Sequence, residues 1–170
     1  MKKDAYYWIK KLDLKKHPEG GYFKETYRCD ETVCADALPK RFSEKKTFCT
    51  AIYFLLKGNQ VSYFHRLKAD ELWHFYSGSS LTLHIINKSG NYNKIHMGRD
   101  FENGEVFQGI VKHGDWFGAT VDDKTSYSLL GCTVSPGFSF NTFEMADKNY
   151  LIKIYPEHAL IIKKISAPSS

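Results

Sequence analysis

The stretch GNQVSYFHRLKADELWHFYSG, residues 58–78, decides the fold. Gly58-Asn59 closes a turn, VSYFHRL (61–67) reads as a strand, Lys68-Ala69-Asp70 interrupts it, ELWHFY (71–76) reads as the next strand, and Ser77-Gly78 turns again. On regular strands side chains alternate faces, so His65 shares a face with Tyr63 and Leu67, and Glu71 shares one with Trp73 and Phe75. A hairpin then sets His65 and Glu71 on one inner wall. By the same alternation His74 points away from Glu71 unless a bulge intervenes.

The pattern repeats on both sides. Upstream lie GYFKETYR (21–28) and the continuous apolar run CTAIYFLL (49–56), the mark of a strand buried on both faces. Downstream come LTLHIIN (81–87), YNKIHM (92–97), EVFQGIV (105–111), DWFGATV (115–121), SYSLLGCTV (126–134), FSFNTFEM (138–145) and YLIKIY (150–155), with turn residues in the gaps. Strands at roughly 8–12-residue spacing make a sandwich or closed barrel. Asp4 caps a short helix with Ala5, Trp8, Ile9 and Leu12 on one face, and Pro156 opens another through Ile165. The 170 residues are read as a single domain: an N-terminal helix (1–16), a jelly roll (17–155) and a C-terminal helix and tail (156–170). Residues 29–46 show no strand period and read as a long loop.

Composition excludes several classes. Aromatic residues make up 15%, favouring pleated half-buried surfaces over helical bundles. The net charge of +5 is concentrated in residues 1–16, where six lysines face two aspartates; the rest holds 18 basic against 17 acidic residues. No basic stripe crosses the remainder, so no nucleic-acid partner is expected. No run of about 18 apolar residues and no leader-like segment occurs, so a cytoplasmic protein without membrane contact is expected. Cys29, Cys34, Cys49 and Cys132 make no CxxC pair and read as reduced thiols.

His65, Asp70, Glu71 and His74 fall within ten residues, a density of imidazole and carboxylate suited to metal binding or to acid–base chemistry. The same segment resembles the cupin superfamily. Its first motif runs G, five residues, H-x-H, three or four residues, E, six residues, G; the His65–Glu71 and Glu71–Gly78 intervals match it. Leu67 stands at the second histidine, and in GIVKHGDWFGA (109–119), the counterpart of the second motif, Phe117 stands at another. Two of the four ligands of a metal cupin are therefore replaced.

HPEGGYFKETYR (17–28), TAIYFLL (50–56), SYFHRLKADELWHFYSG (62–78), WFGA (116–119) and GCTVSPGFSFNTFEMA (131–146) are together similar to a family of small single-domain cupins of unassigned function, related in fold to the nucleotide-sugar 3,5-epimerases. The resemblance implies an all-β fold, the double-stranded β-helix or jelly-roll barrel with short terminal helices. It also implies a dimer and a pocket for a small molecule, with no particular substrate.

His65 is the candidate base, as a barrel histidine is in the epimerases, and Glu71 its orienting partner. Tyr63, His74, Gln108, Trp116 and Phe138 are candidate ligand-binding residues; Gln108 is read as facing inward with Val106 and Ile110. No Tyr matches the epimerase acid by motif. The first expectation is an isomerase or epimerase acting on a small polar, sugar-like molecule without a cofactor. The alternatives are a non-catalytic metabolite-binding protein and an enzyme using a divalent metal on His65 and Glu71, with Gln108 or His74.

Overall fold

The computed structural model describes residues 3–168. The chain order is α1 (Ala5–Lys11), β1 (Lys15–Lys16), β2 (Tyr22–Arg28), β3 (Thr32–Val33), β4 (Lys46–Thr47), β5 (Thr50–Lys57), β6 (Val61–Leu67), β7 (Asp70–Gly78), β8 (Leu81–Ile86), β9 (Tyr92–Met97), β10 (Gln108–Val111), β11 (Trp116–Val121), β12 (Tyr127–Ser135), β13 (Phe143–Met145), α2 (Lys148–Ile154) and α3 (Ala159–Lys164). Two antiparallel sheets, β1-β2-β5-β12-β7-β10 and β13-β6-β11-β8-β9, face each other as a jelly roll. Between them Phe54, Leu56, Trp73, Leu83, Met97 and Phe117 form the main core.

The helices explain why some strands are apolar on both faces. α1, capped by Asp4 Oδ1 accepting from Tyr7 N–H at 2.8 Å, lies on the outside of the six-stranded sheet and buries Leu55, Tyr127 and Leu129. The C-terminal helices cover the outside of the other sheet, burying Phe64, Ile86 and Trp116 beneath Leu151 and Ile162. Among the described residues no helix is long and apolar enough to cross a membrane.

Several boundaries differ from those read in the sequence; EVFQGIV, for one, is strand only from Gln108. Residues 150–155 are not a strand: Asp147 Oδ1 accepts from Tyr150 N–H at 2.7 Å and caps α2, whose Leu151, Ile152 and Tyr155 pack at helical spacing. The jelly roll thus ends at Met145. At the other end the helix stops at Lys11, and Lys15–Lys16 already pair with Tyr22 and Phe23. The segment 138–145 is strand only from Phe143; a 3-10 turn, Phe140–Thr142, precedes it. The 29–46 loop carries the small β3–β4 ribbon, and its buried Lys46 donates to Ser139 Oγ (2.6 Å) and Asn141 Oδ1 (2.9 Å), tying the loop to this turn.

Two bulges position the site. Along β6 and β11, Phe117 pairs with His65 but Ala119 with Ser62, so β6 carries one extra residue and both Ser62 and His65 face inward. In β2, Glu25 pairs with Ile52 and Arg28 with Thr50, so these two residues, three apart, also share the inner face.

Candidate functional site

A cavity of about 130 Å³ opens at the end of the barrel bounded by β2 and β6. Its walls are His65 and Leu67 of β6, Glu71 of β7, Cys132 and Val134 of β12, Thr50 and Ile52 of β5, and Phe23 of β2. His17 and Glu19 enter from the turn before β2, and Phe138, Ser139 and Phe140 cover the opening with Glu25 and Arg28. Arg28 grips Glu25 through Nε (3.0 Å) and Nη2 (2.7 Å) and donates from Nη1 to the Phe138 carbonyl at 3.2 Å.

His65 does not hydrogen-bond Glu71, the partner expected from the hairpin. Its Nε2 lies 3.1 Å from Glu19 Oε2 and its Nδ1 2.7 Å from the Tyr63 carbonyl oxygen. A carbonyl only accepts, so Nδ1 carries the hydrogen and the neutral ring offers a lone pair at Nε2. Glu19 must then donate, and one proton sits between Oε2 and Nε2. The electrostatics agree: burial pushes the Glu19 carboxyl up to about 8, against a hydrogen bond from Ser62 Oγ to Oε1 (2.9 Å). Burial likewise pushes His65 down to about 4, against the Tyr63 carbonyl.

Glu19 reaches this place through its backbone. Tyr63 N–H donates to the Glu19 carbonyl at 2.7 Å, and the turn closes with Gly20 N–H on the His17 carbonyl (3.0 Å) and His17 N–H on the Gly21 carbonyl (3.1 Å). His17 Nδ1 accepts from Glu19 N–H at 3.3 Å, leaving the ring's hydrogen on Nε2; burial, then the neighbouring His65, hold its pKa down at about 4.

Glu71 stands apart. Its Oε2 is buried with no hydrogen-bond partner among the described residues, as is the Nε1 of Trp73. Burial first, then the Glu19 carboxylate, pushes it up to about 8, against weak hydrogen bonding from Trp73 and Cys132, whose contacts with the carboxyl fall short of good hydrogen-bond geometry at Oε2. Cys132 is held well up as a thiol by burial, then by the two carboxylates. At neutral pH the cavity interior is therefore uncharged but rich in exchangeable protons.

The other sequence candidates divide. Phe138 lines the cavity. Tyr63 contributes its backbone only, the carbonyl to His65 and the N–H to Glu19: the β6 bulge gives the inner face to Ser62, which the regular alternation had assigned to Tyr63. Gln108 faces outward, because Gly109 and Val111 pair with the inward Trp73 and Glu71, and Gln108 pairs with His74. On that outer face His74 sits between Gln108 Nε2 (3.2 Å) and Thr133 Oγ1 (3.3 Å), away from the cavity as alternation predicted. Trp116 is buried outside the barrel, beneath the C-terminal helices and 4.4 Å from the Arg66 guanidinium. The sequence reading missed Glu19 and His17. Their signal was the His-Pro-Glu-Gly-Gly turn beside a strand, an imidazole and a carboxylate two residues apart.

The cavity residues do not make a metal centre. Leu67 and Phe117 occupy the positions of two cupin ligands, Phe117 with its ring 4.1 Å from that of His65. Both nitrogens of His65 are already engaged, and His74 and Gln108 are on the other side of the sheet. Among the described residues no group of three or more His, Cys, Asp or Glu side chains is placed to hold a metal ion.

Two facing antiparallel sheets with a histidine and carboxylates at the open end of the barrel define a cupin. The chain belongs to the family described as Cupin superfamily (DUF985), whose model matches residues 6–146. It is similar to a hypothetical protein from Leishmania major, 34% identical over 97% of this chain and 99% of that one, with a TM-score of 0.90. A protein from Shewanella oneidensis is 37% identical over 99% and 100% of the two chains, with a TM-score of 0.88. An uncharacterised Saccharomyces cerevisiae protein is 27% identical over 89% of this chain and 80% of its own length. Bacillus subtilis oxalate decarboxylase, 17% identical over 93% of this chain and 39% of its own with a TM-score of 0.54, shares the fold alone.

Proposed function

We propose that the barrel binds a small, uncharged polar molecule of hydroxy-carbonyl, sugar-like type and moves protons on it, as an isomerase or epimerase. The observation that carries this reading is Glu71 Oε2, buried without a well-formed hydrogen bond in the same cavity as the proton shared by Glu19 and His65. Keeping an unsatisfied carboxyl buried is costly unless a ligand completes it. The cavity approaches the roughly 150 Å³ of an apolar cavity that admits benzene, so about six non-hydrogen atoms fit inside. A longer molecule would extend past Arg28 and Glu25.

In this reading Glu71 acts in its ionised form, which its pKa of about 8 leaves as the minor form near neutral pH; it takes the proton from a carbon next to a carbonyl, and the C–H electron pair moves onto the carbonyl oxygen. That oxygen receives the proton of the Glu19–His65 pair. Return of a proton to carbon and release of the one on oxygen complete the isomerisation with no net oxidation. His65 acts through Glu19, because neither nitrogen is free to meet the ligand. Phe23, Phe138 and Phe140 supply apolar walls.

The test is solvent exchange: small hydroxy-aldehydes and hydroxy-ketones are incubated with the protein in D2O, and deuterium at the carbon next to the carbonyl is followed by NMR. Wild-type protein should catalyse exchange, and Glu71→Gln should lower the rate by about 10²–10⁴-fold. Exchange unchanged in Glu71→Gln would remove Glu71 as the base. Saturable binding without exchange would make the protein a metabolite-binding module.

A homodimer is part of the same proposal. β1 covers only Tyr22 and Phe23 of β2, leaving the edge from Lys24 to Arg28 open to another strand. Light scattering at micromolar concentration should give twice the chain mass; a monomer mass overturns it.

A further inference from the structure

β2 and β5 end together at the cavity mouth, and the residue just beyond each paired end is a cysteine. The ladder pairs Tyr27 with Ala51 and Arg28 with Thr50, and Cys29 N–H then donates to the Cys49 carbonyl at 3.1 Å, so the register continues to Cys29 opposite Cys49. Cα atoms of residues directly opposite on antiparallel strands lie about 4.5–5.5 Å apart, inside the roughly 4.4–6.8 Å that a disulfide spans. Arg28 and Thr50 face the cavity, so by alternation both cysteines project from the opposite face, the side of Tyr27. The environment of Tyr27 bears this out: a hydrogen bond with Cys29, then the charge of Cys29 and of Cys49, hold its phenol up at about 12. Both cysteines are half-buried, within reach of a small reagent, whereas Cys132 is buried inside the barrel.

We propose that Cys29 and Cys49 form a dithiol site that a low-molecular-weight disulfide of the glutathione type converts to an intramolecular cross-strand disulfide. One cysteine thiolate attacks the glutathione disulfide, forming a mixed disulfide and releasing one glutathione thiolate. The second cysteine thiolate displaces the other glutathione, closing the Cys29–Cys49 bond. Each cysteine proton ends on a departing glutathione sulfur, the two cysteines are oxidised, and one glutathione disulfide is reduced to two thiols. The bond would fasten the strand ends that carry Arg28 and Thr50, and with them the root of the 29–48 segment. Nothing in the spacing of twenty residues announces this pair; the β2–β5 ladder creates it.

The test uses the full-length protein, treated with oxidised glutathione, alkylated, digested without reductant and mapped by mass spectrometry. Two of the four thiols should be lost and a peptide joining Cys29 to Cys49 should appear, with Cys34 and Cys132 alkylated; dithiothreitol should restore all four. In Cys29→Ser the reaction should stop at Cys49 carrying one glutathione. The proposal is overturned if wild-type Cys29 and Cys49 stay alkylatable or keep glutathione without joining, or if the cross-link formed involves Cys34. Because the wild-type map needs no variant and no ligand, this result is independent of the barrel's function.

Discussion

Raising the pH from about 6.5 to 8 is expected to lower the folding stability by roughly 2 kcal/mol, because Glu19 and Glu71 stay largely protonated in the fold up to about 8. Their folded pKa is raised, so their contribution is complete below the ordinary carboxyl value of 4.5 and declines as the unfolded chain, but not the folded one, releases its protons. Between 4.5 and 6.5 that decline is opposed by His17, His65 and His84, each held down at about 4 by burial, for which the unfolded chain binds the extra proton. Three imidazoles outweigh two carboxyls there, and stability rises gently to a maximum near 6.5. Above it the carboxyls act at up to about 1.4 kcal/mol per group and pH unit, opposed with fading strength by the unfolded imidazoles, whose ordinary value is 6.5. Urea denaturation at pH 6.5 and 8 measures the difference. Glu71→Gln, which cannot ionise, should be more stable than the wild type by about 2 kcal/mol at pH 6, where the unfolded Glu71 has already released its proton, and should remove most of the decline. A stability that holds level to pH 8 in the wild type would mean that both carboxyls already ionise in the fold.

Gly20→Ala should destabilise the protein by about 3 kcal/mol or more and break the contact between Glu19 and His65. Gly20 has φ +102°, and a Cβ there would meet the Val61 carbonyl oxygen at 2.2 Å, backbone that cannot swing aside. The turn would have to lift from β6, losing the Tyr63 N–H bond to the Glu19 carbonyl that sets the carboxyl beside Ser62 and His65. Gly104→Ala separates strain from clash: φ is +79° but nothing lies within 4 Å of the added carbon, and only about 1 kcal/mol should be lost. Denaturation of the two variants compares their stabilities, and ¹⁵N shifts of the His65 ring report whether Nε2 still meets a proton donor. Equal losses in the two variants would show that the 17–21 turn moves freely, and Glu19 would then not be held for function.

Much of the barrel was legible because burial imposes a period. The inward set Glu71, Trp73 and Phe75, and the outward His74, follow from alternation along β7, and the doubly apolar β5 follows from helix α1 on its outer side. YLIKIY misled because a short apolar run suits a strand or a buried helix equally; Asp147, three residues before the run, is what caps it as a helix. Gln108 misled because its apolar neighbours were taken to mark an inner face: Ile110 does share its face but is exposed, and Val106 lies before the strand, making only an isolated bridge to Met97.

The sequence by itself determined the jelly roll, the family resemblance, the inward placement of His65 and Glu71, and the replacement of two ligand positions by Leu67 and Phe117. Those are properties of residue type and short-range periodicity, which the chain carries locally. Only the tertiary structure decided which carboxylate His65 meets. The single extra residue in β6 brings Ser62 inward, and the Gly20-Gly21 turn delivers Glu19 from 46 residues away in sequence. A bulge and a turn of this kind are chosen by how the strands pack, since one residue of slip reverses every face beyond it. The same ladder logic, acting between β2 and β5, set Cys29 opposite Cys49.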